Sequence, residues 1–326
     1  MKPNKSVMYC KRCGEKLNKD GKRKVFNSGG VHTITYQRWK CKRHGEQNRT
    51  RIWSLSDDNG EEIKKARILV FDIETLYIVA GLWGPWNQNI QPHQIFKDWC
   101  MLSWSAKWLY SSDIMSDILK PDEIPDRDDK RICESLWKLI NAADVIISYN
   151  GNAFDVKAIQ TRFAKHDMPR PMIGRSIDMF RVQKDQFRHT YNRLDWVNQV
   201  FDIKCKDKTC FQDWIDCDNG DAVALKKMLD YNINDVKILE ELYLKIRPWI
   251  KNHPNLALFS DTETEMCHTC MGGDLNWQPN GHDEYYITSV GKYQMYRCNK
   301  CGALGRSRTT ALKKSKNKVV LTNVAR

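Results

Sequence analysis

The first sharp change in polarity along this chain comes where the polar stretch from Ser56 to Lys65 gives way to Ile68, Leu69, Val70 and Phe71. A continuous apolar run of this length predicts a buried strand over residues 66–73. A second short strand is predicted at Val145-Ile146-Ile147. Residues 128–143 place Ile132, Leu136, Leu139 and Ile140 at helical spacing. Ser148-Tyr149-Asn150-Gly151-Asn152 reads as a turn, after which Asp155 opens an amphipathic helix carrying Ile159 and Phe163. A long helix is predicted from about Ala222 to Trp249. The aromatic-rich stretch from Trp83 to Trp108 is assigned to the core and rim of a sheet. For Trp83 and Trp86, packing is preferred over stacking on a nucleotide.

Composition narrows the function classes. The 326 residues include 53 Lys and Arg against 40 Asp and Glu, a formal net charge of +13, so a polyanionic partner is expected. No apolar run approaches the roughly 18 to 20 residues that span a bilayer, and no membrane partner is expected. The opening MKPNKSVMYCKRCGEK lacks the apolar stretch of a secretory signal, so the 12 Cys are read as thiols of a reducing compartment, the cytoplasm of a bacterium or phage-infected host. Charge is uneven. Residues 1–60 carry 15 basic and 5 acidic side chains and residues 264–326 carry 10 and 4, leaving a slightly acidic middle.

The two basic ends share a cysteine pattern. Cys10 and Cys13 are followed after 27 residues by Cys41 and His44, and Cys267 and Cys270 after 27 residues by Cys298 and Cys301. Paired knuckles at this separation predict two tetrahedral ribbon sites, each holding a structural Zn2+. The copies are offset by 257 throughout, which also aligns Tyr36, Trp39, Arg49 and Arg51 with Tyr293, Tyr296, Arg306 and Arg308. The chain therefore divides into a ribbon at 1–60, a central domain at 61–263, and a second ribbon with a basic tail at 264–326. Lys40, Arg43, Arg49 and Arg51 beside Trp39, and Arg297, Lys300, Arg306 and Arg308 beside Tyr296, suit phosphate contacts and base stacking. Docking of a replication or repair protein through the ribbons is the alternative. Cys100 and Cys133 read as core residues. Cys205, Cys210 and Cys217 lack an obvious fourth ligand.

In the central domain Asp72 and Glu74 stand at i and i+2 on a strand and so project from one face. Two neighbouring carboxylates raise each other's pKa unless a cation neutralises them, which points to a divalent metal site. Asp155 at its helix start also has an ordinary reading as an N-cap. Tyr231 and Asp235, at i and i+4, share a helix face.

In order and spacing these segments resemble the three motifs of the DEDD (DnaQ-like) 3'-5' exonucleases, in the variety with Tyr in the third motif. Tyr149-Asn150-Gly151-Asn152-Ala153-Phe154-Asp155 and Tyr231-Asn232-Ile233-Asn234-Asp235-Val236 are most similar to the proofreading domains of family B DNA polymerases and to stand-alone relatives in phages and bacteria. The resemblance covers roughly residues 66–250. Only 76 residues follow Ile250, so a free nuclease domain without a polymerase domain is expected.

The resemblance implies a ribonuclease H-like α/β fold, a mixed sheet that includes strands near 66–73, 100–109 and 144–149 with helices on its faces. It implies two Mg2+ or Mn2+ ions, with Asp72 bridging them, Glu74 and Asp235 completing the site that activates water, and Asp155 supporting the leaving 3' oxygen. Tyr231 would orient the attacking water and Asn150 would contact the terminal nucleotide. Thr75 and Leu76 would pack on the last sugar and base, or act only in strand and turn packing. The expected reaction is 3'-5' hydrolysis of single-stranded nucleic acid ends, DNA before RNA, releasing nucleoside 5'-monophosphates. An RNA-trimming or structure-specific endonuclease, and a non-catalytic nucleic-acid-binding zinc-ribbon protein, are the alternatives.

Overall fold

The computed structural model describes the strand backbones at 18–26, 33–41 and 45–51, and residues 65–84, 86, 89–204, 209–317 and 319–321. Near the start, β1 (Asn18–Phe26), β2 (Thr33–Cys41) and β3 (Gly45–Arg51) form an antiparallel sheet in that order. The central domain follows: β4 (Ile68–Leu76), the small hairpin β5 (Val79–Ala80) and β6 (Ile95–Lys97), then β7 (Cys100–Trp108) and β8 (Ile114–Ile118). Next come α1 (Lys130–Ala142), β9 (Val145–Ser148), α2 (Asp155–Lys165), β10 (Arg175–Asp178) and α3 (Met179–Gln186). The domain ends with α4 (Leu194–Val200), α5 (Phe211–Asp218) and the 25-residue α6 (Ala222–Ile246).

The central sheet has the order β10-β9-β4-β7-β8. β9 runs parallel to β4 and to β10, while β7 is antiparallel to β4 and β8. This helix-flanked mixed sheet has the expected ribonuclease H-like architecture. The strands expected at 66–73, 100–109 and 144–149 are β4, β7 and β9.

β4 is apolar on both faces because both are covered. Leu69, Phe71 and Ile73 join a cluster with Ile132, Leu136 and Ile140 of α1 and Ile159 and Phe163 of α2. Ile68 and Val70 face the other way, into a cluster with Val236, Leu239, Leu242 and Ile246 of α6. Each such side chain contributes roughly 1.5–3 kcal/mol on full burial. The sheet is thereby clamped between α1 and α2 on one side and α6 on the other.

Trp104 is buried in this core, in keeping with the expected placement of the aromatic stretch, but Trp83 and Trp86 are not: they stand 98% and 80% exposed. The reason is local. Both lie in the connection between β5 and β6, whose pairing joins only Val79 to Lys97 and Ala80 to Ile95 among the described residues.

One buried ion pair ties the first layer together. Asp129, just before α1, accepts hydrogen bonds from the Met101 amide at 2.8 Å and from Arg162 Nε and Nη2 at 2.5 and 2.6 Å, with His166 Nε2 at 2.6 Å. Burial alone would raise its pKa, yet these partners hold the carboxyl below its ordinary value. Cys133 and His166 lie within metal-ligating reach of Asp129. Because Arg162 already neutralises both carboxylate oxygens, the cluster reads as structural.

The last unit comprises β11 (Leu275–Asn276), β12 (Tyr285–Ile287), β13 (Lys292–Cys298) and β14 (Leu304–Arg306), with β13 paired to the other three. It rests on the end of α6. Met271 joins the α6 core cluster, and the Leu256 amide donates to the His268 carbonyl at 2.7 Å. Tyr243 of α6 bonds His253 through its hydroxyl at 2.8 Å.

Removing one member of a buried ion pair strands the other, at a cost of about 3–5 kcal/mol. Asp129→Ala is therefore expected to lower unfolding free energy by about that amount, read as a shift in the urea midpoint with an unchanged slope.

Candidate active site

Strand alternation sends Asp72 and Glu74 to the face of β4 that carries Ile68 and Val70, toward α6. There Asp235 meets them, and the carboxylate oxygens of Asp72, Glu74 and Asp235 lie within 4.8 Å of one another. Tyr231, one turn earlier on α6, hydrogen-bonds Asp235 through its side chain. Asp155 lies outside this three-acid group, yet its charge bears on Asp72 and Glu74. It is the first residue of α2, one past the N-cap Phe154, so the ordinary reading as the cap does not hold. Its carboxylate accepts instead from the Ile73 amide.

Two positioning residues carried no signal of this role in the sequence. Asn232, fully buried on α6, donates from Nδ2 to Asp72 Oδ2 at 2.7 Å. Asp178 at the end of β10 accepts from the Asn150 amide at 2.9 Å and the Asn152 amide at 3.2 Å, while capping α3 through the Phe180 amide at 3.1 Å. It thus fixes the turn that leads to Asp155. Asn150 adopts φ +62°, a left-handed conformation that Asn tolerates. At Gly151 an added Cβ would stand 2.0 Å from Ser148 Oγ, so the turn needs glycine for space. An Asp before a helix signals a cap, and that cap exists here, but its second pair of amides comes from a distant turn.

Leu76 requires a correction. Simple alternation places it with Asp72 and Glu74, exposed to substrate, but it is fully buried in the same cluster as Phe71 and Ile73. The same cluster also holds Leu225 and Met228 of α6, and the β4–β7 register shifts between Glu74 and Thr75, where Leu102 of β7 is the extra residue. Thr75 remains half-buried at the bulge.

The electrostatics are those of an uncompensated acid cluster. Burial raises the Asp72 carboxyl well above its usual range, and the charges of Asp155, Glu74 and Asp235 add to it. Burial followed by Asp235 and Asp155 pushes Glu74 to about 8. Burial raises Asp155 to about 7 despite two amide donors, and Asp235 to about 6 despite the Tyr231 hydroxyl. Among the described residues no Lys or Arg forms an ion pair with any of the four. Such a set fits hard divalent cations, which prefer carboxylate oxygen.

In the last unit, Cys267, Cys270, Cys298 and Cys301 converge, with Sγ separations of 3.7 Å for Cys267 and Cys301 and 3.6 Å for Cys270 and Cys298. Four sulfurs about 2.3 Å from a tetrahedral zinc would stand roughly 3.8 Å apart, so the cluster fits that ion. The Thr269 amide donates to Cys267 Sγ at 3.4 Å. Of the first set, Cys10, Cys13 and His44 lie outside the described residues, and only the backbone of Cys41, ending β2, is described. Among the others, Cys100, Cys133 and Cys217 are buried, Cys210 is exposed and Cys205 lies outside the described residues. No third cysteine cluster occurs among the described residues.

Tyr296, expected on the ribbon surface, is buried. Its hydroxyl meets His268 Nδ1 at 2.9 Å, and its ring packs on Trp277 at 5.1 Å. It lies at i−2 from the zinc-ligand candidate Cys298, and alternation turns it inward.

Residues 118–247 match the family model of the RNase H superfamily. The matched span holds Asp155, Tyr231 and Asp235 but not Asp72 and Glu74. Members of that superfamily are usually nucleases, and the match supports a nuclease-type function on a nucleic-acid substrate. Among solved structures, the chain is similar to the family B DNA polymerase from the hyperthermophilic archaeon Pyrobaculum calidifontis, with 16% identity and a TM-score of 0.41 over 72% of this chain and 29% of that one. The chain thus spans under a third of that polymerase. No curated protein matches it. No helix among the described residues is long and apolar enough to cross a membrane.

The raised carboxyls make stability depend on pH in a defined sense. Glu74 keeps its proton in the folded state up to about 8, against an ordinary value of 4.5, so its contribution is fully present below pH 4.5 and is lost as pH rises toward 8. Without added Mg2+ or Mn2+, Glu74→Gln is expected to melt above the parent at pH 8 and level with it at pH 4.5. Mn2+ is expected to raise the parent's melting temperature at pH 8 more than the variant's, as differential scanning calorimetry would record.

Proposed function

We propose that this protein is a metal-dependent 3'-5' exonuclease that hydrolyses phosphodiester bonds at single-stranded ends, DNA before RNA, and releases nucleoside 5'-monophosphates. The observation that carries this reading is the gathering of Asp72, Glu74 and Asp235 within 4.8 Å, with Asp155 beside them and, among the described residues, no Lys or Arg paired to any of the four. The 3'-5' polarity follows from the motif resemblance.

Asp72, Glu74 and Asp235 would hold one divalent ion, and Asp72 with Asp155 a second. Bound there, Mg2+ or Mn2+ would lower the pKa of an attacking water and neutralise charge on the leaving 3' oxygen. The chain's own groups supply orientation. Asn232 fixes one oxygen of Asp72, Tyr231 holds Asp235 and would direct the water, and Asp178 sets the turn that presents Asn150 to the terminal nucleotide. In the reaction the water oxygen bonds to phosphorus, the bond from phosphorus to the 3' oxygen breaks, and that oxygen takes up a proton to become the new 3' hydroxyl.

The two knuckle sets would each hold a structural zinc, Cys10, Cys13, Cys41 and His44 in the first and Cys267, Cys270, Cys298 and Cys301 in the second. With four protein ligands neither leaves a position open for chemistry. The functional division is then 1–60, 61–263 and 264–326.

With 5'-labelled single-stranded DNA and Mn2+, the parent is expected to shorten the strand from the 3' end. Asp72→Ala and Asp235→Asn are each expected to slow this by about a hundredfold or more, because metal affinity falls at least as far as for a lost supporting residue. Undiminished hydrolysis by both folded variants, or cleavage of circular DNA as fast as of linear DNA, would overturn the assignment. Faster shortening of RNA than DNA would move the substrate preference.

A further inference from the structure

The last unit presents a second organised surface, on the sheet face opposite the cysteines. Tyr286 of β12 stands directly across from Tyr293 of β13, and Arg306 of β14 directly across from Met295. Since Tyr293 and Met295 are two residues apart, Tyr286, Tyr293 and Arg306 share one face. They are in contact: the Arg306 guanidinium lies 4.1 Å from the Tyr293 ring centroid and 5.6 Å from that of Tyr286. Tyr286 is 50% exposed, and Arg306 and Arg297 are exposed.

The charge of this surface is unanswered among the described residues. In the central domain, by contrast, Lys107 pairs with Glu240, Arg127 with Asp218, Arg131 with Asp117 and Arg162 with Asp129. Among the described residues the ribbon's ion pair joins His282 to Glu284, and Lys292, Arg297, Arg306 and Arg308 have no carboxylate partner. A second, independent observation comes from the internal repeat. Trp39 opposes Asn48 and Arg38 opposes Arg49 in the first sheet, as Tyr296 opposes Gly305 and Met295 opposes Arg306 in the last. At the same offset Tyr36 matches Tyr293 and Arg49 matches Arg306. Neither member of this Tyr and Arg pair is a zinc-ligand candidate or a core residue in the last unit. Its recurrence therefore has no folding reason.

We propose that the Tyr286, Tyr293 and Arg306 face is a single-stranded nucleic-acid platform separate from the acid cluster. A guanidinium already held over a ring offers a face for a base and donors for a phosphate. The exposed Tyr286 ring provides an adjacent stacking surface. The proposal concerns binding and stands or falls independently of hydrolysis by the acids.

The test measures affinity of the full, zinc-loaded chain for labelled oligo(dT) and for heparin, an anion without bases, across a salt series and without Mg2+ or Mn2+. Arg306→Ala with Tyr286→Ala is expected to weaken oligo(dT) binding about tenfold or more, the scale of one lost stacking contact. The slope of log affinity against log salt should become shallower by about 0.7, one phosphate contact. Arg306→Lys should restore the slope but only part of the affinity, and heparin binding should fall by less than oligo(dT) binding. Zinc content and circular dichroism of each variant control for folding, and Arg306→Ala alone, on an exposed side chain, gives the same reading where the double variant loses zinc. Unchanged affinity and slope would overturn the proposal. Equal losses for heparin and oligo(dT) would also overturn it, since a patch that reads charge alone is not a base platform.

Discussion

Everything at the candidate site depends on holding four like-charged groups together against their mutual repulsion. Burial and neighbouring charge both favour the neutral form of Asp72 and Glu74. Left to themselves the side chains would turn to solvent. They cannot, because the strand and helix carrying them are fixed by apolar contacts on either side of the acids. Leu69, Phe71 and Ile73 anchor β4 on one face, Ile68 and Val70 on the other, and Val236, Leu239 and Leu242 anchor α6. Several side chains at roughly 1.5–3 kcal/mol each outweigh the repulsion, so the protein stores an arrangement that only a cation or a proton relieves.

The parts of this arrangement that could be read from the sequence are those set by local periodicity. Strand spacing put Asp72 beside Glu74, helix spacing put Tyr231 above Asp235, and the apolar run at 68–71 marked the central strand. What escaped was set by partners far away in the chain. Leu76 is buried by residues distant in the chain, among them Leu136 of α1, Phe163 of α2 and Leu225 of α6, and nothing near Leu76 announces it. Asn232 looks like an indifferent helix residue until its amide is seen to reach Asp72. Asp178 reads as a simple cap because its bonds to Asn150 and Asn152 cross 28 and 26 positions. Trp83 was misjudged because aromatic content alone does not say whether a segment stays with the sheet.

The last unit shows the same division between local and distant determinants. Ligand spacing announced the cysteine cluster, and the repeat announced the sheet. Which aromatic faces outward did not follow, since Trp39 and Tyr296 stood nearest the basic residues in the sequence. Strand parity decides it: Tyr296 shares its face with Cys298 and is buried, so the rings on the other face are the exposed Tyr286 and the half-buried Tyr293. A sheet this small has few core positions to fill, and much of its surface is free to carry recognition groups.

The two surfaces also answer an electrostatic difficulty. A cleft of uncompensated carboxylates repels the phosphate backbone it is proposed to cut, and cations bound in it offset that only at short range. The last unit packs against α6 near Tyr243, eight residues beyond Asp235, or about 12 Å along a helix rising 1.5 Å per residue. Screening at physiological salt acts over about 8 Å, so repulsion by the acids is felt mainly by phosphates close to them. A strand can be held at the ribbon by its bases and phosphates while its terminus meets the carboxylates, and the tendency of the acids to expel it is opposed by contacts made elsewhere on the same molecule.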